Sequence, residues 1–119
     1  MTSSSGDVFT RRDVVLVNFL FSEETGSKRR PVLVVSSSEY HRGRQEAVVA
    51  AVTSNTGRIL PGDHLMDDWE QAGLPLPSVV TGIIRTVKLG MIGRKLGRVS
   101  DKDMATIEVN LRSMLGLLA

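Results

Sequence analysis

The apolar positions of this chain come in short β-rich runs, and helical spacing is confined to the C-terminal segment. Residues 13–21 (DVVLVNFLF) predict a first strand, residues 31–36 (PVLVVS) a second, buried one, and residues 46–53 (EAVVAAVT) a third. Pro31 opens the second run, where a missing N–H does least harm. Residues 78–87 (SVVTGIIRTV) predict a fourth, long strand with Gly82 inside it, and a glycine so placed often marks a bulge or a close backbone approach. Residues 89–96 read as a shorter strand. Residues 64–66 read as a very short one, with a helical turn over residues 66–72 that carries Trp69. Polar stretches at 22–29 and 54–63 and the turn at 73–77 read as connections, and residues 36–44 as a loop or a helical turn.

The end of the chain has a different period. Ser100 followed by Asp103 fits an acidic capping box, and Asp101 adds negative charge to the first turn. Met104, Ile107, Leu111, Met114 and Leu118 then recur at three- and four-residue spacing, which predicts an amphipathic helix over residues 100–117. Strands followed by one helix argue against a doubly wound parallel sheet. They favour a small, strongly bent antiparallel sheet or barrel with a helix packed on it. Residues 1–10 are small and polar and predict a flexible tail; residues 11–119 are one domain's worth of chain.

Composition narrows the chemistry more than the fold. The chain has no cysteine, which removes disulfides, thiolate zinc sites and a cysteine nucleophile together. No apolar stretch approaches the ~18–20 residues needed to cross a bilayer. The N-terminus has no apolar signal region, so the expectation is a cytoplasmic protein without membrane contact. The net charge of +2 does not by itself announce a nucleic-acid binder. Basic residues do cluster, at Arg11-Arg12, at Lys28-Arg29-Arg30, at Arg42 and Arg44, and at Arg94-Lys95 with Arg98. They would make an anion-attracting face if the fold brought them together, and ordinary solvated charge if it did not.

The common catalytic signatures are missing: no GxSxG elbow, no P-loop, no GxGxxG and no HExxH. His41 and His64 stand in polar contexts that predict surface placement, and no metal site is expected. What remains are arginines and hydroxyls at strand ends. Arg29-Arg30 precedes PVLVVS, and Thr53-Ser54 ends EAVVAAVT. An arginine beside a hydroxyl can grip a phosphate and stabilise charge developing on it. The same residues also fit a loop arginine and a strand-end threonine with no shared role. Tyr40 and Trp69 could stack on unpaired bases, or Trp69 could be a partly buried anchor.

The segments DVVLVNFLFS, SKRRPVLVVS, AVVAAVTSN, PSVVTGIIRTV and IGRKLGRVSDKDMATIEVNLRSMLGL follow one another over residues 12–117, and in this order they resemble the MazF/PemK toxin family. The most specific match is the arginine directly before a proline that opens a buried β run. Two positions depart from the family's pattern. Arg12 stands where the first strand usually opens with glycine. Val80 and Gly82 stand where some PemK-like members carry an arginine and an aspartate, so a mechanism that needs that acid cannot run here.

The resemblance implies a mainly β (α+β) fold, a small SH3-like antiparallel β-barrel with a C-terminal α-helix of the CcdB/MazF kind, working as a homodimer. It implies the toxin of a type II toxin–antitoxin pair: an endoribonuclease, needing neither metal nor cofactor, that cuts single-stranded RNA at selected sequences by 2′-hydroxyl attack. It also implies an antitoxin partner that lays a peptide across the RNA groove. Carried over residue by residue, Arg30 and Thr53 are the catalytic pair, and Lys28, Arg29, Ser54 and Ser78 are RNA-contact candidates. The competing readings are a barrel of the same fold that binds an antitoxin or nucleic acid without cutting, and a CcdB-like gyrase poison.

Overall fold

A strand that is apolar along its whole length needs cover on both faces, and the runs near the N-terminus have it. In the computed structural model, which describes residues 9–20 and 27–117, the elements are β1 (Asp13–Leu20), β2 (Ser27–Val34), α1 (Ser38–Arg44), β3 (Glu46–Thr53), β4 (His64–Leu65), β5 (Val79–Lys88), β6 (Ile92–Arg98) and α2 (Asp101–Met114). Most of the predicted tail, Phe21, most of the loop at 22–29 and Leu118 lie outside the described residues. All strand pairs are antiparallel, in the order β4-β5-β3-β2-β1-β6.

Alternation along each strand sorts the side chains into two cores. Val14, Leu33, Ala50 and Val52 join Met104 and Ile107 of α2 in one core; Val15, Val17, Val32, Val34 and Val49 join Phe9 and Ala47 in the other. The sheet is bent and barrel-like but not closed, since β4 and β6 end it without pairing to each other. The turn after β4 covers the free side of β6. Its Gly73 has φ +80°, and a Cβ there would lie 2.0 Å from the Leu96 carbonyl oxygen. Neither the backbone angle nor the contact admits a side chain. Gly73→Ala is therefore expected to cost about 4 kcal/mol or more of stability, read by urea or thermal denaturation. A loss below about 1 kcal/mol would mean that the turn can leave the sheet edge freely.

Several boundaries differ from the sequence expectation. β2 starts at Ser27, so Arg29 and Arg30 are strand residues: the hairpin pairs Asn18↔Arg29 and Val17↔Arg30 carry the ladder through polar positions. Residues 36–44 fold into a capped helix, with the Ser37 hydroxyl accepting from the Tyr40 N–H at 3.2 Å. Residues 89–91 form a 3₁₀ turn, which delays β6 to Ile92. Residues 66–72 make turns around Trp69, which packs on the first core as an anchor.

Neither histidine is a surface residue. His41 is buried, with Nε2 2.6 Å from Ser36 Oγ and its ring 5.3 Å from that of Phe9. Burial lowers its pKa. Its contribution to stability is thus complete above the ordinary histidine value and declines as pH falls below it. His64 bonds through Nε2 to Asp103 Oδ1 at 2.7 Å. The glycine missing at position 12 is explained as well. Arg12 has φ 85°, in the region that favours glycine, and it is held there by its own guanidinium, which donates to the Val99 carbonyl at 2.8 Å and to Asp101 at 2.7 Å.

Candidate active site

The ladder between β2 and β3 covers Val34↔Val49, Leu33↔Ala50 and Val32↔Ala51, then stops beside Pro31, which has no N–H to offer. Continuing the same register by two residues sets Arg30 opposite Thr53. Both line the mouth that opens there, a cleft of about 910 Å³. The Thr53 hydroxyl accepts from the Asn55 N–H at 3.1 Å, which occupies one lone pair and leaves its proton to donate. Arg30 is an exposed side chain on a rigid strand, the kind of placement that fixes a cation without burying it.

A bulge in β5 shapes the opposite wall. The pairs Ala50↔Ile84 and Val52↔Val80 leave Thr81, Gly82 and Ile83 facing Ala51 alone. The Thr81 hydroxyl fills the gap, donating to the Ala51 carbonyl at 2.8 Å and accepting from the Ile83 N–H at 3.1 Å. Gly82 is turned toward the loop at 54–63, where its backbone meets that of Gly62. Asp63 closes this corner. One carboxylate oxygen accepts from the Gly82 N–H at 2.8 Å and the other from the Leu60 N–H at 2.9 Å. An acid thus stands against position 82, although none occurs there in the sequence, and its two oxygens fix the loop to the strand.

The structure brings together four of the six residues singled out from the sequence. Arg30, Thr53, Ser54 and Ser78 line the cleft. Ser54 is exposed, whereas Ser78 is buried and spends its proton on the Leu76 carbonyl at 2.8 Å, a turn-holding bond. Arg29 points to the other face of β2, as neighbours on a strand must, and lines a second cleft of about 320 Å³ with Asn18 and Arg94. The side chain of Lys28 lies outside the described residues. Sequence reasoning missed Arg58, Asp63 and Thr81, which also line the first cleft. The turn residues Asn55, Gly57, Pro61 and Gly62 marked their loop but not its direction.

The basic clusters do not converge as a whole. Arg11 pairs with Glu108 at 2.6 Å, Arg12 with Asp101, Arg44 with Glu46 at 3.0 Å, and Lys95 and Arg98 with the buried Asp13 at 3.4 and 3.2 Å. Arg30 and Arg58 are the arginines of the large cleft. Among the described residues no three histidine, aspartate or glutamate side chains gather as a metal-ligand set. The site is therefore an open groove lined by two arginines and the Thr53 hydroxyl, with apolar walls and backbone held by short side-chain bonds. It suits an extended polyanion better than a small neutral ligand.

A family model described as PemK-like, MazF-like toxin of type II toxin–antitoxin system matches residues 10–115. Endoribonuclease MazF6 of Mycobacterium tuberculosis is 38% identical over 95 residues, covering 76% of this chain and 82% of its own. Endoribonuclease MazF2 of Mycobacterium bovis matches to the same extent. Among solved structures, MazE–MazF from Deinococcus radiodurans superposes with a TM-score of 0.76 at 23% identity, over 93% of this chain and 99% of the other. An endoribonuclease in complex with its cognate antitoxin from a mycobacterial species gives 0.73 at 23% identity, over 94% and 99%.

Proposed function

The chain belongs to the PemK-like, MazF-like toxin family of type II toxin–antitoxin systems, a family of endoribonucleases, and from that premise we propose that it cuts single-stranded RNA at selected sequences without a metal ion or cofactor. The observation that carries this reading is the placement of Arg30, on β2, opposite Thr53, the last residue of β3, in one open cleft.

In the proposed reaction the 2′-hydroxyl next to the scissile phosphate attacks phosphorus and gives its proton to solvent water. The bond to the 5′-oxygen breaks, that oxygen takes a proton from water and leaves as a hydroxyl, and a 2′,3′-cyclic phosphate remains. Arg30 is protonated throughout. It holds the non-bridging oxygens and offsets the charge they gain in the transition state. Thr53 donates a hydrogen bond to the phosphate or orients the attacking 2′-oxygen. Ser54 extends this polar edge, and Arg29 would meet RNA only on the other face of β2.

The partners follow from the same cleft. Leu60, Leu76 and Ile83 are about half exposed along it, at 48%, 54% and 60%, and suit the apolar side chains of an extended antitoxin peptide that would block RNA. A homodimer would cover Val109 and Met114 of α2 and Leu115 and Leu117 just after it, all of which are exposed. Light scattering at micromolar concentration should then give twice the chain mass, and a monomer mass would contradict the dimer. Residues 11–119 act as one domain in this reading. Among the described residues no helix is long and apolar enough to cross a membrane, and we place the protein in the cytoplasm with its RNA substrate.

The test is a long single-stranded RNA incubated with purified protein in EDTA, with the product ends mapped. Discrete cuts bearing cyclic-phosphate ends support the proposal and reveal the recognised sequence. RNA left intact across varied substrates would overturn it in favour of a non-cutting barrel or a gyrase poison.

A further inference from the structure

We propose that Arg58 is a second phosphate-binding residue of this cleft, one that grips the RNA backbone beside the scissile phosphate and takes no part in the exchange of bonds. The proposal rests on the ribonuclease reading and deepens it.

The loop at 54–63 contains no helix or strand, yet both its ends are tied down. At its start the Thr53 hydroxyl holds the Asn55 N–H, and the Asn55 side chain holds the Gly57 N–H at 3.1 Å. At its end Asp63 and Leu60 bond to each other in both directions, the Leu60 carbonyl accepting from the Asp63 N–H at 2.9 Å. Asp63 also anchors to Gly82, and its own carbonyl accepts from Asn110 of α2 at 3.2 Å. Arg58 lies between these two fixed turns, so its backbone is positioned before any ligand arrives.

The side chain of Arg58 is the unspent part of this arrangement. It is exposed and lines the cleft that Arg30 and Thr53 line, and it makes no hydrogen bond or ion pair with any described residue. By contrast Arg11, Arg12, Arg44 and Arg98 are all engaged with carboxylates. The nearest acid in the loop, Asp63, gives both oxygens to backbone N–H groups. A guanidinium with all five donors open, on a preorganised loop, beside a second arginine in the same groove, fits a chain that carries more than one phosphate.

The experiment uses Arg58→Gln and Arg58→Lys in the full chain. Steady-state cleavage is followed, together with binding of an RNA that carries a 2′-deoxy nucleotide at the mapped cut site, each over a range of salt. Arg58→Gln should raise KM and Kd about tenfold, with the larger part of the effect in KM rather than kcat. The slope of log Kd against log salt should fall by about 0.7, the value for one phosphate contact on a single strand. Arg58→Lys keeps the charge and should recover most of the affinity, and the cut sites should stay the same in both variants. Unchanged Kd and salt slope in Arg58→Gln, while the unmodified protein cuts RNA normally, would overturn this proposal alone. A changed cut sequence would make Arg58 a base reader and overturn it too. Failure of the unmodified protein to bind or cut RNA would remove the ribonuclease reading, and this inference with it.

Discussion

Arg30→Ala is expected to lower RNA cleavage by about 10²–10³-fold, the usual effect of deleting one donor aimed at charge that develops in the transition state. The fold should survive, because the Arg30 side chain is exposed on β2 and neither core contains it. Stability should therefore change by no more than about 1 kcal/mol. Arg30→Lys separates charge from shape. An ammonium keeps the charge but lacks the planar fork, so it should recover only part of the rate. Single-turnover cleavage with denaturation of each variant checks both statements. A folded Arg30→Ala protein that cuts at the unmodified rate would end the catalytic assignment.

The second large effect belongs to Asp103, whose carboxylate is fully buried at the start of α2. It accepts from the Asp67 N–H at 2.9 Å and the Asp68 N–H at 2.8 Å, and it bonds His64 at 2.7 Å. Asp103→Ala would strip His64 and two backbone N–H groups of their partner at a buried position and should cost about 3–5 kcal/mol. Asp103→Asn should recover little, because its amide group would turn a donor toward donors. The pH dependence has a definite sign. Burial alone would raise the pKa, but the bonds from Asp67, His64 and Asp68 and the charge of His64 outweigh it and leave the group below its ordinary value. The stability it supplies is thus complete above the ordinary aspartate pKa of about 3.9 and disappears as pH falls through the lower folded value. Acid titration of the unmodified protein should show this loss, and Asp103→Ala should lack that component.

The strands were legible in the sequence where neighbours and alternation agree. β3 runs over the residues its pattern marks, and Thr53 ends it as expected. The glycine inside β5 did signal irregular backbone, realised as the bulge at 81–83. What escaped depends on partners far along the chain. The early start of β2 is set by hairpin pairing rather than by apolar spacing. The Ser100–Asp103 motif was visible as a cap, and the Ser100 hydroxyl does accept from the Asp103 N–H at 3.2 Å. The Asp103 carboxylate is drawn instead to groups 35–39 residues away, which no local pattern encodes. The burial of His41 has a similar origin, since Phe9, from before β1, covers its ring, while Ser36 bonds it from just before α1. At the site, Arg30 and Thr53 were singled out through the family resemblance and line one cleft, whereas Arg58, which lines it too, is a lone loop arginine with no signature until the loop's course is known.

The ties at Asp63 and Asp103 join pieces that the chain order keeps apart. Asp103 fastens residues 67 and 68 to the head of α2, and Asn110 fastens Asp63 one stretch further along the same helix. The wall of the cleft and the C-terminal helix are thus parts of one cooperative unit. Opening the groove by moving this loop away would cost the helix its docking. In hydrogen exchange the amides of Leu60, Asp67, Asp68 and Gly82 should slow and quicken together with those of α2 rather than with the exposed part of the 54–63 loop. An antitoxin or RNA that tightened this wall would then be felt as added protection along α2, on a helix it need never touch.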